Sequence, residues 1–333
     1  MSKTDTTAPG LGFDLLSFLA RYGTILSLIA LIVFFSFMRP EVFATTRNML
    51  NVLNQVSILG IIAIGLTVCL VIGQFDLSIG ALATFGGYMA ARFLMEIGPA
   101  NGTPMVVAGV VLLVLGMAVI IGIINGALVS YLGISAIVET LAMSFIVTGA
   151  ILGISRSRTI SPVEIPDAFK IIGQGSIAGI PNPVLILIAT AIILWLFLEH
   201  TQPGRNMYAI GGNKEASRLS GIPVKRYALV AMGICAACAA LGGMVAAANL
   251  GAGRPQGVGD VYLLNAFVAV FIGASTLRPG KFHVLGTAVG VLMIGVINNG
   301  LSVMGVPSFW QFIVQGVLLI LALISASMMT LRR

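Results

Sequence analysis

Apolar residues run along this chain in ten long blocks, separated by short stretches rich in Gly, Pro and charge. The blocks cover residues 22–38, 48–73, 77–94, 105–131, 136–154, 183–198, 227–250, 262–274, 284–304 and 309–329. A helix needs about 20 apolar residues to cross a bilayer, and only the eighth block falls well short. The pattern predicts an all-α polytopic membrane protein with about ten transmembrane helices, a single transmembrane domain over residues 1–333. Residues 1–19 are polar, then weakly amphipathic, and are expected at the cytoplasmic face; Arg21 then leads into a full-length span, with no convincing cleavable signal peptide.

Composition agrees. Of 333 residues, 58% are apolar and 9% charged, and the mean hydropathy is +1.06; soluble domains carry about 25% charged residues. The net charge of +7 comes from Lys and Arg in short loops and at the C-terminal Arg332 and Arg333, as the positive-inside bias produces. No basic run interleaves with aromatics, so nucleic-acid binding is set aside. Ten crossings place both termini on one side. A cytoplasmic assignment gives that side Lys3, residues 200–226, Arg278, Lys281, Arg332 and Arg333, and the other side Arg39, Arg47, Arg156, Arg158 and Lys170.

Residues 200–226 hold the densest group of cations. Asn213 suits a helix N-cap, Lys214 to Ser220 can run helical, Gly221 suits the left-handed position beyond the end, and Pro223 blocks continuation. The expected product is a rigid basic knob at the membrane surface, although such a loop could also serve topology alone.

The sequence contains a short internal echo. Ile121 to Gly126 resembles Ile294 to Gly300, each with a Gly-Ile or Gly-Val turn and a further span behind it. The copies run in opposite directions, which predicts five-plus-five inverted repeats and a site near the bilayer midplane.

Polar residues inside the blocks mark candidate chemistry. Asp76, in Gly73-Gln74-Phe75-Asp76-Leu77-Ser78-Ile79-Gly80, costs roughly 3 kcal/mol if it sits mid-membrane. Flanking glycines suggest a broken helix capped by Asp76 or Ser78, with solute contact the alternative. Asn48, Asn51, Asn54 and Gln55 share one helical face. Such amides suit either a neutral hydroxylated solute or hydrogen bonds between helices. Asn125, Asn298 and Asn299 read as packing or kink features, and Glu139 as a helix-dipole partner. Trp310 reads as an interfacial anchor or, with Gln311, a contact at the mouth of the pathway. Cys69, Cys235 and Cys238 all lie inside apolar blocks, where Cys235-Ala-Ala-Cys238 serves packing better than redox chemistry.

What the chain lacks narrows its function. It has no phosphate-binding Gly-x-x-x-x-Gly-Lys-Ser/Thr loop. His200 and His283 are isolated, nothing resembles a metal cluster, and no span carries the several charges of a proton relay. A pathway with amides but little charge, together with a rigid cytoplasmic knob, suggests movement powered by another subunit.

The run from Tyr208 to Ile222 closely resembles the cytoplasmic loop of ribose/xylose/arabinose-type ABC sugar permeases. Asn48 to Gly80 looks like that family's Asn-rich span and its Gly-Ile-Asp-Leu-Ser-Val-Gly element. Asn298-Asn-Gly-Leu301, Gly305-Val306 and Trp310-Gln311 resemble its C-terminal signature. The resemblance implies an inner-membrane importer with two permease subunits as homodimer or heterodimer, a cytoplasmic ATPase that holds ATP and Mg, and a periplasmic sugar-binding protein. This chain would then need no cofactor. The pathway residues would be Asn51, Asn54, Gln55, Asp76, Ser78, Trp310 and Gln311. The coupling residues would be Arg205, Tyr208, Gly211, Gly212, Asn213, Lys214, Glu215, Arg218 and Gly221. Residues 155–182 and 251–260 are the expected docking loops for the binding protein. Two departures, Gln74-Phe75 before Asp76 and Gly273-Ala-Ser-Thr-Leu-Arg-Pro-Gly280, loosen any inference about the particular sugar. An ion-coupled transporter using Asp76 and a branched-chain amino acid permease are the rival readings.

Overall fold

Apolar runs with marked ends become helices in the computed structural model, which describes residues 15–331. The long helices are α1 (Leu15–Met38), α2 (Thr46–Val71), α3 (Ile79–Ile97), α4 (Pro104–Tyr131) and α5 (Ala136–Ser155), followed after a long connection by α7 (Asn182–His200). Later come α10 (Val224–Leu250), α11 (Asp260–Gly273), α12 (Val284–Val303) and α13 (Ser308–Leu331). Local chemistry sets several boundaries. Thr45 and Thr103 accept from the N–H groups of Asn48 and Val106 to start α2 and α4, and Pro104 fills a first-turn position whose N–H would be orphaned. Gly251, at φ 64°, closes α10 in the left-handed region.

Three differences from the sequence expectation stand out. First, α1 begins at Leu15, earlier than the first apolar block, so part of the expected surface segment is helical; residues 1–14, with Lys3, and Arg332 and Arg333 lie outside the described residues. Second, residues 155–182 are not a plain loop. They carry α6 (Asp167–Gln174) and a hairpin of β1 (Ser176–Ile177) with β2 (Ile180–Pro181), turned by Ala178 and Gly179 at positive φ. Third, the basic knob is two helices, α8 (Gln202–Gly212) and α9 (Lys214–Leu219), hinged at Asn213.

Among the described residues six helices are long and apolar enough to cross a membrane: α2, α4, α5, α7, α10 and α12. They sort into inner and outer members. The most apolar windows of α2 and α10 are 83% and 72% buried, whereas that of α5 is 22% buried and presents its apolar side outward, as a lipid-facing helix does. Small residues let the inner helices touch. Any Cβ at Gly86 or Gly243 would overlap backbone of Ala240 or Ala83, so α3 and α10 pack backbone to backbone. Thr67 and Thr287 tie α2 to α12 at 2.7 Å. Asn48 and Asn299 exchange two hydrogen bonds at 2.9 and 3.0 Å across the same helix pair, so this amide of the stripe joins helices.

The connections fall into groups. Residues 155–182 and 251–260 meet through Ile160 and Gly253, which exchange backbone bonds of 2.8 and 3.2 Å, and Gln174 donates to the Asn249 carbonyl. At another site, α8, the end of α2 and the α11–α12 connection come together through Gly211, Val71, Glu199 and Arg278.

Candidate functional site: an amide-lined cavity and an anchored basic knob

Four inner helices leave a cavity of about 340 Å³, within the range of small-molecule sites. Its polar walls are Gln55 from α2, Asn249 from the last turn of α10, Tyr262 and Asn265 from α11, and Asn298 from α12. Gly295 lets α12 pack closely on α2 in this wall, because Val56 occupies the space a side chain there would need. Among the described residues, no Asp, Glu, Lys, Arg or His lines it. Asn265 donates to the Val261 carbonyl at 2.9 Å and keeps its own Oδ1 unpartnered. Asn298 accepts from Gln315 at 3.0 Å. Amides and a phenol offer donors and acceptors without charge, the recognition set for a neutral, hydroxyl-rich solute.

The structure brings one residue of the expected pathway set to this cavity, Gln55. Asn51 and Asn54 precede it on α2, and the Asn54 Oδ1 is buried without a partner. Asp76 and Ser78 lie elsewhere, fully buried, where Asp76 Oδ1 accepts from the Ser78 N–H at 2.8 Å and contacts Ser78 Oγ at 2.5 Å. Ser78 stands at the N-cap position of α3 but its hydroxyl caps nothing. Trp310 is 49% exposed and packs on Phe309, while Gln311 donates to Ser302. Asn249, Tyr262 and Asn265 were missed: each is a lone polar residue in or beside an apolar block, and nothing local distinguishes it from a helix-packing amide. Asn298 was read as a packing feature and lines the cavity as well.

The knob has an anchored part and a projecting part. Thr201 caps α8 by accepting from the Gly204 N–H, and Met207 and Ile210 are buried beneath the helix. Gly211 lies so close to the Val71 carbonyl that no side chain would fit. Tyr208 turns inward and donates to Glu199 Oε1 at 2.8 Å, and Arg278 adds bonds of 2.8 and 2.6 Å to the same carboxylate. Burial, reinforced by that carboxylate, pushes the Tyr208 phenol above its ordinary range, and the bond to Glu199 raises Arg278. Asn206 donates to the Tyr227 hydroxyl at 2.7 Å and so ties α8 to α10.

Beyond the hinge, α9 is closed at both ends. Asn213 accepts from the Ala216 N–H at 2.9 Å. Gly221, at φ 81°, donates to Arg218 O, and Ile222 donates to Ser217 O, the two bonds of a Schellman stop. Arg205, Gly211, Gly212, Asn213, Lys214, Glu215, Arg218 and Gly221 are exposed. Glu215 and Arg218 pair with each other at 2.6 Å, which lowers the Glu215 pKa and raises that of Arg218. Leu219 is 75% exposed, an apolar tip among charges.

A further feature departs from expectation. The ligand atoms of Cys69, Asp76 and Cys235 lie within 4.8 Å of one another, although nothing in their spacing suggested a cluster.

A multi-pass bundle of apolar helices around a polar cavity defines a membrane permease. The chain belongs to the transport-permease family described as branched-chain amino acid transport system / permease component, whose model matches residues 48–323. It is 33% identical to the ribose import permease protein of Escherichia coli strain K12 over 96% of this chain and 98% of that one. It is also 33% identical to the D-allose transport system permease protein of the same strain, over 93% of this chain and 92% of that protein. The xylose transport system permease protein of that strain is 29% identical over 90% of this chain and 89% of its own length. No solved structure matches the chain significantly. The chain is a permease subunit and not an enzyme.

Proposed function

We propose that this chain is the membrane subunit of an ATP-driven importer in the bacterial inner membrane, and that it carries a monosaccharide or closely related polyol. The observation behind the solute class is the cavity itself. Five polar side chains and no charged one face a space of about 340 Å³. A zwitterionic amino acid would place an ammonium and a carboxylate in that space with no opposite charge to pair either. Ribose, allose and xylose, named for the relatives, share neutral hydroxyl chemistry that amides can match.

Partners follow from the two ends. α9 docks on a separate ATPase, which holds ATP and Mg, with Arg205, Lys214 and Arg218 as charged contacts and Leu219 as the apolar one. Gly211 and Tyr208 act from beneath, by seating α8 on α2 and Glu199. The joined segments 155–182 and 251–260 receive a sugar-binding protein, and a second permease subunit completes the pathway. All ten long helices cross the membrane as five-plus-five inverted repeats. Supporting the repeat, Gly80 at the start of α3 meets Gly259 just before α11, which are corresponding places in the two halves. Closing of the ATPase moves α8 and α9, α8 moves the end of α2, and the cavity changes the side on which it opens.

The test is reconstitution in proteoliposomes with the ATPase and the binding protein. ATP-dependent uptake of ribose, allose or xylose is expected, with no uptake by the chain alone. Uphill uptake by the chain alone on a proton or sodium gradient would refute the reading. Uptake of leucine in place of any sugar would refute the solute class.

A further inference from the structure

Away from the cavity, the α2–α3 turn meets α4 and α5 at four buried polar side chains: Asp76, Ser78, Asn125 and Glu139. Ser78 Oγ lies 2.5 Å from Asp76 Oδ1 and 3.1 Å from one end of the Asn125 amide. The other end of that amide faces Glu139 Oε1 at 3.3 Å and the Ile121 carbonyl at 3.2 Å. Among the described residues, neither carboxylate has a Lys, Arg or His partner in any hydrogen bond or ion pair. Asp76 Oδ2 and Glu139 Oε2 are buried with no hydrogen-bond partner among the described residues, apart from the Cys235 thiol that faces Asp76.

Hydrogen counting restricts what this chain can hold. A hydroxyl has one hydrogen, and an amide donates only from its NH2 end. Consider Asn125 with its NH2 toward Glu139 and the Ile121 carbonyl. Its Oδ1 then takes the Ser78 hydrogen, none remains for Asp76, and the 2.5 Å contact requires the hydrogen to sit on Asp76. Turned by half a rotation, the amide donates to Ser78, and Ser78 donates to Asp76. Oδ1 now faces Glu139 at 3.3 Å, a contact attractive only when Glu139 carries the hydrogen. It also faces the Ile121 carbonyl at 3.2 Å, which no proton relieves, so this is the costlier of the two arrangements. With both acids ionised, each orientation sets two bare oxygens against each other in a medium that screens little.

We propose that Asp76, Ser78, Asn125 and Glu139 form a binding site for a single proton shared between the two carboxylates, with the Asn125 amide turning according to which one holds it. The site stands on this count and does not depend on which solute the chain carries. The proton is not transported; it neutralises one of two acids that the fold forces together, and so holds the α2–α3 turn against α4 and α5. The thiols facing Asp76, Cys69 and Cys235, are the remaining titratable neighbours. As a metal site, two thiolates and a carboxylate around a divalent ion would bury a net negative charge beside Glu139, which burial disfavours. As neutral thiols they add none.

The test is infrared spectroscopy of the assembled transporter at neutral pH, read at the carbonyl stretch of a protonated carboxylic acid. Wild-type protein is expected to show one such group per chain, and carboxyl carbon-13 labelling of either aspartate or glutamate should move part of the band. Asp76→Asn and Glu139→Gln should each abolish the whole band, because each amide stands in for a protonated acid and leaves a lone carboxylate. Absence of the band in wild-type protein overturns the proposal. So does a band that each substitution merely halves, which would mean two independently neutral acids, or one that either substitution leaves intact. If a variant does not assemble, the labelled wild-type protein decides: a band moved by only one label, or by neither, overturns the sharing.

Discussion

Glu199→Gln tests the proposed coupling of α8 to the transport cycle. The Glu199 carboxylate accepts from Tyr208 on α8 and twice from Arg278 before α12, and its side chain is 13% exposed against 53% for Arg278. Hydrogen bonds to a charged group are worth about 1.5–3 kcal/mol. Because the Arg278 side is half in solvent, screening reduces the gain, and about 1–2 kcal/mol is a fair magnitude for the junction. That corresponds to roughly a fivefold to thirtyfold shift between held and released α8. Glutamine keeps the size and one acceptor but loses the charge. The measurement is solute imported per ATP hydrolysed, by the complete transporter in proteoliposomes. The ratio should fall severalfold while the subunits still co-purify. Arg278→Gln should do the same, and the double variant should be no worse than either single one, since both remove one junction. An unchanged ratio, or losses that add in the double variant, would show that α8 is not held to the α11–α12 connection through this carboxylate.

Other perturbations probe the remaining parts. Asn265→Leu removes an amide from the cavity, and losing one neutral hydrogen bond of about 0.5–1.5 kcal/mol should slow uptake about twofold to tenfold, with docking of the ATPase unchanged in a pull-down. Gly243→Val would force α10 away from Ala83, and overpacking of about 1–3 kcal/mol should appear as a lower melting temperature in detergent. Burial holds the His283 pKa below its usual 6.5, and the neutral ring caps α12 by accepting from the Gly286 N–H. Its contribution is therefore complete above the unfolded pKa near 6.5 and is lost as pH falls through the depressed folded value. His283→Asn keeps a cap worth about 1 kcal/mol and should flatten that part of the pH–stability curve. Arg218→Glu should weaken ATPase binding in a co-purification assay without altering the melting temperature of the permease, because the side chain is exposed.

The sequence reads well where one residue type sets a local outcome. Apolar run length anticipated the positions of the ten long helices to within a few residues, apart from the early start of α1, and Asn213 and Gly221 announced both ends of α9. It reads poorly where partners come from distant segments. The cavity takes single amides from α2, α10, α11 and α12, and an isolated Asn265 carries no signal of what it will face. The hinge at Asn213 was hidden because Gly211 and Gly212 look like loop residues, yet they end a helix seated on α2. Asp76 and Glu139 each appeared as a single acid in its own span, so only the fold reveals their meeting around Asn125.

Because α9 carries its own start and stop and rests little of its surface on the bundle, its outer residues would, on the proposed docking, answer to the ATPase and hardly to the membrane domain. Substitutions there can drift, or be exchanged between related permeases as a cassette, while the bundle keeps its shape. Paired drift of two contacting proteins is thereby made easy, and a chimera carrying a foreign α9 would be directed to a foreign motor.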